Sequence, residues 1–264
     1  MGRHISEGEL HAGRQMSQQI GEIVALYRYP VKSMRGEPLD SCELGWYGLE
    51  GDRRFALRRL SDRSGMPWLT ASRFPELVRF TPFRDDARRD ELPTHVRTPE
   101  GEEMEILGDA LAAEVERRFG APVQMMQLRH GIFDEASLSV IALETVDEIG
   151  RLVGRSLDVR RFRPNVVVRL RSPNPFQEDD WEGCSLHFGD GDDAPAIAVT
   201  MRDIRCSMVN LDPDSAASTP EVFRTVVREH ENTAGIYGTV TRTGRLAVGQ
   251  GLFLRRERGG SGEA

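Results

Sequence analysis

Clusters of glycine, proline and aspartate divide this chain into many short β-prone runs, and that punctuation is the strongest constraint on its fold. Runs of this length are typical of strands. They do not alternate strictly with helical segments, which argues against a doubly wound parallel sheet. Short strands at irregular intervals favour a β-barrel with appended helices. The predicted strand runs are Ile20–Tyr29, Leu39–Leu44, Arg53–Leu60, Leu77–Thr81, Asn165–Leu170, Ser185–Phe188, Ala196–Thr200, Gly235–Thr241 and Gly251–Arg256.

Three segments have the periodicity of amphipathic helices. Apolar residues recur at four-residue spacing within Leu107–Phe119, and a glycine follows as a helix stop. A second helix is predicted over Glu144–Val153, again closed by a glycine. A third begins with Thr219 as its N-cap and Pro220 at the first helical position. The predicted fold class is therefore α+β and mostly β.

Charge and hydropathy exclude several classes of protein. A formal net charge of -7 argues against a nucleic-acid-binding protein, because phosphate binding needs a basic field. No apolar run approaches the roughly 18–20 residues of a membrane span. Residues 1–19 lack the apolar core of a signal peptide and are expected to be a disordered or expression-derived lead. We therefore expect a cytoplasmic protein.

The three cysteines form no C-x-x-C pair, so neither a disulfide scaffold nor a structural zinc ribbon is indicated. Cys206 follows Arg205, and a neighbouring cation favours the thiolate, the form that attacks electrophiles or binds soft metals. The alternative is a buried, inert thiol. Cys42 and Cys184 have no comparable basic neighbour and are expected to be structural.

Three basic clusters are candidates for anion binding. Lys32-Ser33 leaves a predicted strand at a turn, where a cation, a hydroxyl and backbone N–H groups suit a phosphate oxygen. Arg53 could contact phosphate or simply pair with Asp52. In the third cluster, Arg163 and Asn165 are two residues apart and predicted to share one face of a strand. A surface ion-pair group with an aspartate is the alternative there.

Two further patterns are polar surface features. Residues 85–91 form a charge run and are interpreted as a solvated loop. Gly189–Asp193 resembles a fragment of a calcium loop, but it lacks the ligand spacing and the closing glutamate of an EF-hand. A hairpin turn is the favoured interpretation.

Taken in order, seven motifs resemble the MOSC domain family. The resemblance runs from about Ile20 to Leu254 and includes the N-terminal β-barrel domain that precedes MOSC in the amidoxime-reducing component subgroup. No single motif is diagnostic, but their order and spacing together are. They are Tyr29–Ser33, Gly51–Arg53, Arg161–Asn165, Glu178–Trp181, Arg205-Cys206, Asp212–Asp214 and Val248-Gly249.

The resemblance implies a molybdenum cofactor, in which a pterin dithiolene and one protein cysteine hold an oxo-molybdenum centre. Cys206 matches that cysteine, as metal ligand and catalytic residue, and Arg205 falls beside it. The residues that match positions holding the pterin and its phosphate are Lys32, Ser33, Arg53, Arg163, Asn165 and, less securely, Ser137. The implied domains are a β-rich N-terminal domain over 20–106, a MOSC domain over 107–257 and a flexible tail over 258–264.

The sequence departs from the family pattern twice. The family's arginine near Thr70–Arg73 is displaced by one position here, so that stretch is left out of the predicted site. The serine-rich lead into the cysteine is replaced by Met201–Ile204, which leaves substrate preference open.

The resemblance implies a reductase of N-hydroxylated or N-oxygenated small molecules. No cysteine arrangement suits an iron–sulfur cluster, so electrons are expected from a separate flavin, haem or iron–sulfur protein. The alternative is a cofactor carrier or a sulfur-transfer protein that uses Cys206, and a barrel that only binds protein partners is a third possibility.

Overall fold

The computed structural model describes residues 18–84, 92–131 and 135–256. The predicted charge run at 85–91, the tail and nearly all of the lead therefore lie outside the described residues. The strands are β1 (Gln18–Arg28), β2 (Glu37–Leu39), β3 (Ser41–Gly45), β4 (Gly48–Leu49), β5 (Phe55–Arg59), β6 (Thr81–Phe83), β7 (His95–Arg97), β8 (Glu103–Glu105), β9 (Val123–Gln127), β10 (Leu138–Ala142), β11 (Val166–Leu170), β12 (Ser185–Phe188), β13 (Ala196–Ile204), β14 (Thr233–Arg242), β15 (Gly244–Ala247) and β16 (Gly251–Arg255). The helices are α1 (Asp109–Phe119), α2 (Leu143–Val153) and α3 (Pro220–Glu229).

Seven strands close into a barrel in the order β11-β10-β14-β13-β12-β16-β1, because β1 pairs with both β16 and β11. The short strand β2 extends the sheet from β1. The mostly β fold class and the barrel with appended helices are thereby confirmed. No described helix is long and apolar enough to cross a membrane.

Strand alternation explains how the barrel and its helices share one sheet. In β11, Val166, Val168 and Leu170 face the barrel interior, whereas Val167 packs into the core beneath α2 and α3. β10 and β11 are parallel and are joined through α2, the crossover that a parallel pair requires. A run of buried β-branched residues is therefore needed on both faces of this strand.

The remaining strands form three small sheets, β15-β3-β4, β5-β9 and β6-β7-β8. A separate apolar core lies among β5, β9, α1 and the 3-10 helix Pro75–Arg79. The N-terminal segment is therefore strand-rich, but its first strand lies in the same barrel as β10–β16. The boundary between residues 106 and 107 stays a prediction.

Helix ends follow the sequence pattern closely. Gly120 and Gly154 cap α1 and α2 with φ of 83° and 82°, the left-handed conformation that glycine adopts without steric cost. Thr219 does precede α3, but its side chain makes no capping hydrogen bond. Gly189–Asp193 lies between the antiparallel strands β12 and β13, as a hairpin connection.

Several predicted strands were wrong or incomplete. Leu77–Thr81 is mostly a 3-10 helix, Pro75–Arg79, because Pro75 starts the turn and two apolar residues pack inward from it. Leu39–Leu44 is two strands, β2 and β3. The strands missed by the sequence pattern are mainly short: β4, β6, β7, β8, β9, β10 and β15.

Candidate functional site

A cavity of about 260 Å³ opens at the end of the barrel where β1 finishes, β11 starts and β13 finishes. Among the described lining residues, five side chains are cationic and two are acidic, so the wall favours an anion. Six of the eight predicted site residues line it: Lys32, Ser33, Arg53, Arg163, Arg205 and Cys206.

Cys206 lies two residues after the end of β13 and directly before the 3-10 helix Ser207–Asn210. It is the exposed cysteine of the three, whereas Cys42 and Cys184 are buried. Burial raises the pKa of the Cys42 thiol to about 11, which keeps it protonated. Of the three sulfurs, only Cys206 is thus placed to meet a ligand in the cavity.

The hydroxyl of Ser72 lies 3.9 Å from the Cys206 sulfur. Ser72 belongs to the stretch Thr70–Arg73 that the sequence analysis left out of the site. The contact brings a residue 134 positions earlier in the chain to the candidate ligand. The family-like motif in this stretch was a signal that could have found it.

Two arginines of the wall are oriented by one buried tyrosine ring. The Arg53 and Arg163 guanidinium carbons lie 5.3 Å and 4.1 Å from the ring centroid of Tyr29. Both distances are within the range of cation–π contacts. Burial raises the pKa of Tyr29, so its ring stays neutral beside the two cations. Arg163 also donates to the Met34 carbonyl at 2.8 Å.

Asp52 holds the Arg53 guanidinium in place through an ion pair. Its carboxylate is buried, accepts the Tyr29 backbone N–H at 2.7 Å and forms an ion pair with the Arg53 guanidinium. From the sequence, pairing with Asp52 and anion binding by Arg53 were alternatives. The structure shows the pair, and Arg53 lines the cavity as well.

Three of the seven described non-glycine residues with positive φ line this cavity. Ser33, Arg53 and Arg163 have φ of 68°, 48° and 50°, in the left-handed region that residues with a Cβ rarely adopt. Such residues cost of order 1–3 kcal/mol each and tend to cluster at functional sites. Three of them on one wall indicate a ligand-binding surface.

Arg163 and Asn165 do not share a strand face, so that prediction was wrong. β11 starts at Val166, and Arg163 ends the 3-10 helix Val159–Phe162 in a left-handed conformation. Asn165 is buried and does not line the cavity. Its Oδ1 accepts the Ser139 backbone N–H at 3.2 Å and the Arg53 Nη1–H at 3.4 Å, so Asn165 helps to position Arg53.

Arg205 lines the cavity, but its guanidinium contacts groups other than Cys206. The guanidinium donates to the Ala234 carbonyl through Nε at 2.7 Å and to the Phe162 carbonyl at 2.8 Å, and it pairs with Asp203 at 2.7 Å. None of these contacts joins the Arg205 guanidinium to the Cys206 sulfur, so they do not support the expected stabilisation of a Cys206 thiolate by Arg205.

Ser137 packs near the β3–β4 turn: its carbonyl oxygen lies 2.4 Å from where a Cβ on Gly48 would be. The polar side chains that the sequence analysis missed are instead Ser139, Asp203 and Tyr237. Ser139 donates its hydroxyl proton to Asp203 at 2.8 Å, and Asp203 and Tyr237 line the cavity. Each lies in a strand whose partners are distant in sequence, so no local pattern marks them.

Glu178 and Asp179, in another of the family-like motifs, serve the fold. Glu178 is buried and accepts the Ala142 backbone N–H at 3.1 Å and the Thr145 hydroxyl at 2.9 Å. It therefore provides hydrogen-bond acceptors for two donors at the start of α2. Asp179 pairs with His230 at 2.7 Å.

Within the described residues, no group of three or more His, Cys, Asp or Glu side chains could hold a metal ion.

A solved structure from Bacillus subtilis shares this architecture. The Bacillus subtilis YUAD protein is similar over 92% of this chain and 100% of its own, with 15% identity and a TM-score of 0.50, a likeness of fold. The Escherichia coli YiiM structure aligns over 88% of this chain and 71% of its own, with 12% identity and a TM-score of 0.39. No curated protein matches the sequence.

Two family models match the sequence itself. A MOSC N-terminal beta barrel domain covers residues 20–134, and a MOSC domain covers residues 116–252, which is just over half of the chain. The chain therefore belongs to the MOSC domain family, whose members are associated with the molybdenum cofactor.

Proposed function

We propose that this protein is a molybdenum cofactor-dependent oxidoreductase that reduces N-hydroxylated or N-oxygenated small molecules, as in the amidoxime-reducing component subgroup. The single observation that carries the proposal is an exposed thiol, Cys206, at a cavity whose described lining has five cationic and two acidic side chains. A soft sulfur and an anion-binding wall are the two features that a pterin-held metal requires.

The donor set fits this cofactor. Thiolate is a ligand that soft metals prefer, and Cys206 is the accessible sulfur. Lys32, Arg53 and Arg163 would bind the phosphate and the pterin edge, with Ser33 adding a hydroxyl. When bound, the cofactor would supply the two-electron redox chemistry. The protein's own residues would hold the anion, orient the metal through one sulfur and shape the cavity.

An external reductant completes the reaction. Among the described residues no metal-ligating cluster offers a second redox centre. A separate flavin, haem or iron–sulfur protein is therefore the proposed electron donor, and a cytoplasmic location is part of the same proposal.

Metal analysis of the purified protein tests the proposal. Protein made in a host that synthesises the cofactor should contain stoichiometric molybdenum and pterin, and Cys206→Ser should lose the metal. Cys42→Ser is the matched control, because the Cys42 sulfur is buried and the carbonyls that it hydrogen-bonds, those of Glu43 and Glu50, can also accept a serine hydroxyl. Full molybdenum retention in Cys206→Ser would refute Cys206 as ligand.

Turnover separates a reductase from a carrier. The loaded protein is mixed with a chemical electron donor and benzamidoxime, and benzamidine is measured. Formation of benzamidine supports the reductase. No turnover by fully loaded protein would favour the second candidate, a cofactor carrier or a sulfur-transfer protein using Cys206, which the accessibility of that thiol also suits.

A further inference from the structure

The buried carboxyl group of Asp203 is the feature of the cavity that anion binding leaves unexplained. Asp203 lies near the end of β13 and is 1% exposed, yet it lines the cavity together with Tyr237. A negative charge in a cavity built for an anion opposes the ligand. A protonated carboxyl group does not.

The surroundings of Asp203 favour partial protonation. Its Oδ2 accepts the Ser139 hydroxyl at 2.8 Å and pairs with Arg205 at 2.7 Å, while Oδ1 has no hydrogen-bond partner among the described residues. A buried negative charge is costly, and a proton on the carboxyl group removes that charge. Burial raises the pKa of Asp203 to about 6, against the lowering effect of Arg205, Ser139, Arg53 and Tyr237.

Tyr237 connects this carboxyl group to the cavity. The tyrosine lies on β14, is half-buried, lines the cavity and hydrogen-bonds to Asp203 through its hydroxyl. A hydroxyl donates one proton and accepts another at the same oxygen. It can therefore pass a proton from Asp203 toward a ligand without opening the barrel.

We infer that Asp203 and Tyr237 form a proton-supplying pair for the reduction at this cavity, an inference that rests on the proposed function. Reduction of an N-hydroxylated substrate consumes two electrons and two protons: the N–O bond breaks, an N–H bond forms and water leaves. The electrons come from the external reductant. Tyr237 donates one proton to the departing oxygen and takes the Asp203 proton in return.

The Asp203 carboxylate left behind is paired with the Arg205 guanidinium, which stabilises the charge until solvent returns the proton. The second proton comes from solvent directly. The acidic residue Glu135 also lines the cavity but is exposed. Asp203 differs from it in being buried between two hydroxyls and a guanidinium.

The first test uses cofactor-free protein, so it does not depend on catalysis. Infrared spectroscopy should show a protonated-carboxyl band that disappears as pH rises through about 6. The band should be missing in Asp203→Asn and retained in Asp192→Asn, whose side chain is 98% exposed. If wild-type protein and Asp203→Asn show the same protonated-carboxyl bands, the inference is overturned.

The second test uses the loaded enzyme with dithionite and benzamidoxime. Wild-type turnover should fall as pH rises through the titration of Asp203, because the donor must be protonated. Tyr237→Phe keeps the carboxyl group and should lower turnover about 100-fold, at the lower end of the range for a lost proton donor, with molybdenum content unchanged. Tyr47→Phe, on an exposed turn, is the control.

The outcomes separate the two proposals. Normal turnover and an unchanged pH profile in Tyr237→Phe would refute the proton pair and leave the reductase standing. No turnover by loaded wild-type protein would refute the reductase, while the infrared titration would still report on Asp203. If Asp203→Asn does not fold, Tyr237→Phe alone decides the question.

Discussion

Replacing Asp52 by alanine should destabilise the protein strongly, although Asp52 does not line the cavity. The change leaves the Arg53 guanidinium without its counter-ion and the Tyr29 backbone N–H without its acceptor. Breaking a buried ion pair by removing one partner costs about 3–5 kcal/mol. Arg53 keeps 15% of its side chain exposed. Since that access to water reduces the cost, we expect a loss of about 3 kcal/mol in the free energy of unfolding, at the lower end of that range.

Urea denaturation of cofactor-free protein, followed by circular dichroism, measures this loss. In a thermal scan the same change should lower Tm by about 6–12 °C, at roughly 2–4 °C per kcal/mol for a chain of this size. Asp52→Asn keeps an acceptor for the Tyr29 N–H and should recover about 1 kcal/mol of the loss. Asp192→Ala, on an exposed side chain, should stay within about 0.5 kcal/mol of wild type.

A double-mutant cycle with Arg53→Met tests the cause. If the uncompensated Arg53 charge produces the loss, the double variant should lose less than the sum of the single variants, by at least about 1 kcal/mol. A loss of less than about 1 kcal/mol in Asp52→Ala, or two losses that simply add, would refute a role for the uncompensated Arg53 charge.

Three further predictions concern the thiol, a close backbone contact and a buried histidine. One thiol of the native, cofactor-free protein should react rapidly with Ellman's reagent and three after denaturation, and Cys206→Ser should remove the rapid one, because the other two are buried. Gly235→Ala should cost about 1–3 kcal/mol in chemical denaturation, because φ is +81° and the new Cβ would lie 2.7 Å from the Val140 carbonyl oxygen, whereas Gly65→Ala meets nothing within 4 Å and should be nearly neutral. Burial lowers the pKa of His187 from 6.5 to about 4, so the folded state disfavours its charged form. Stability should therefore be lost as pH falls from 6.5 towards 4, and His187→Leu should flatten that part of the curve of unfolding free energy against pH.

Features set by a few neighbouring residues were predicted from the sequence more accurately than features set by distant contacts. Helix ends were predicted well because a glycine in the left-handed conformation terminates a helix within one turn. Strands of five or more residues were mostly found, whereas β6, β7 and β8, with three residues each, left no readable alternation. The strand expected over Leu77–Thr81 failed because Pro75 starts a 3-10 turn there.

In the candidate site too, some residues were predicted from local motifs and others were placed only by the tertiary structure. Motif order pointed to Lys32, Arg53 and Cys206, which do line one cavity. Arg163 reached that cavity for a different reason from the one predicted, as the left-handed end of a 3-10 helix. Asn165, expected to bind the cofactor, is buried beside Arg53, and its contact with a cofactor stays a prediction.

By itself, the sequence determined the class of fold, the helix boundaries and the motif order that points to Cys206, because turn residues, periodicity and short motifs act over a few neighbouring positions. Only the tertiary structure decided that β1 closes the barrel against β11 and that Ser72 reaches the sulfur. It also placed Asp203 and Tyr237 on the same wall. Those relations depend on strand register and on contacts between distant parts of the chain, which no local pattern encodes.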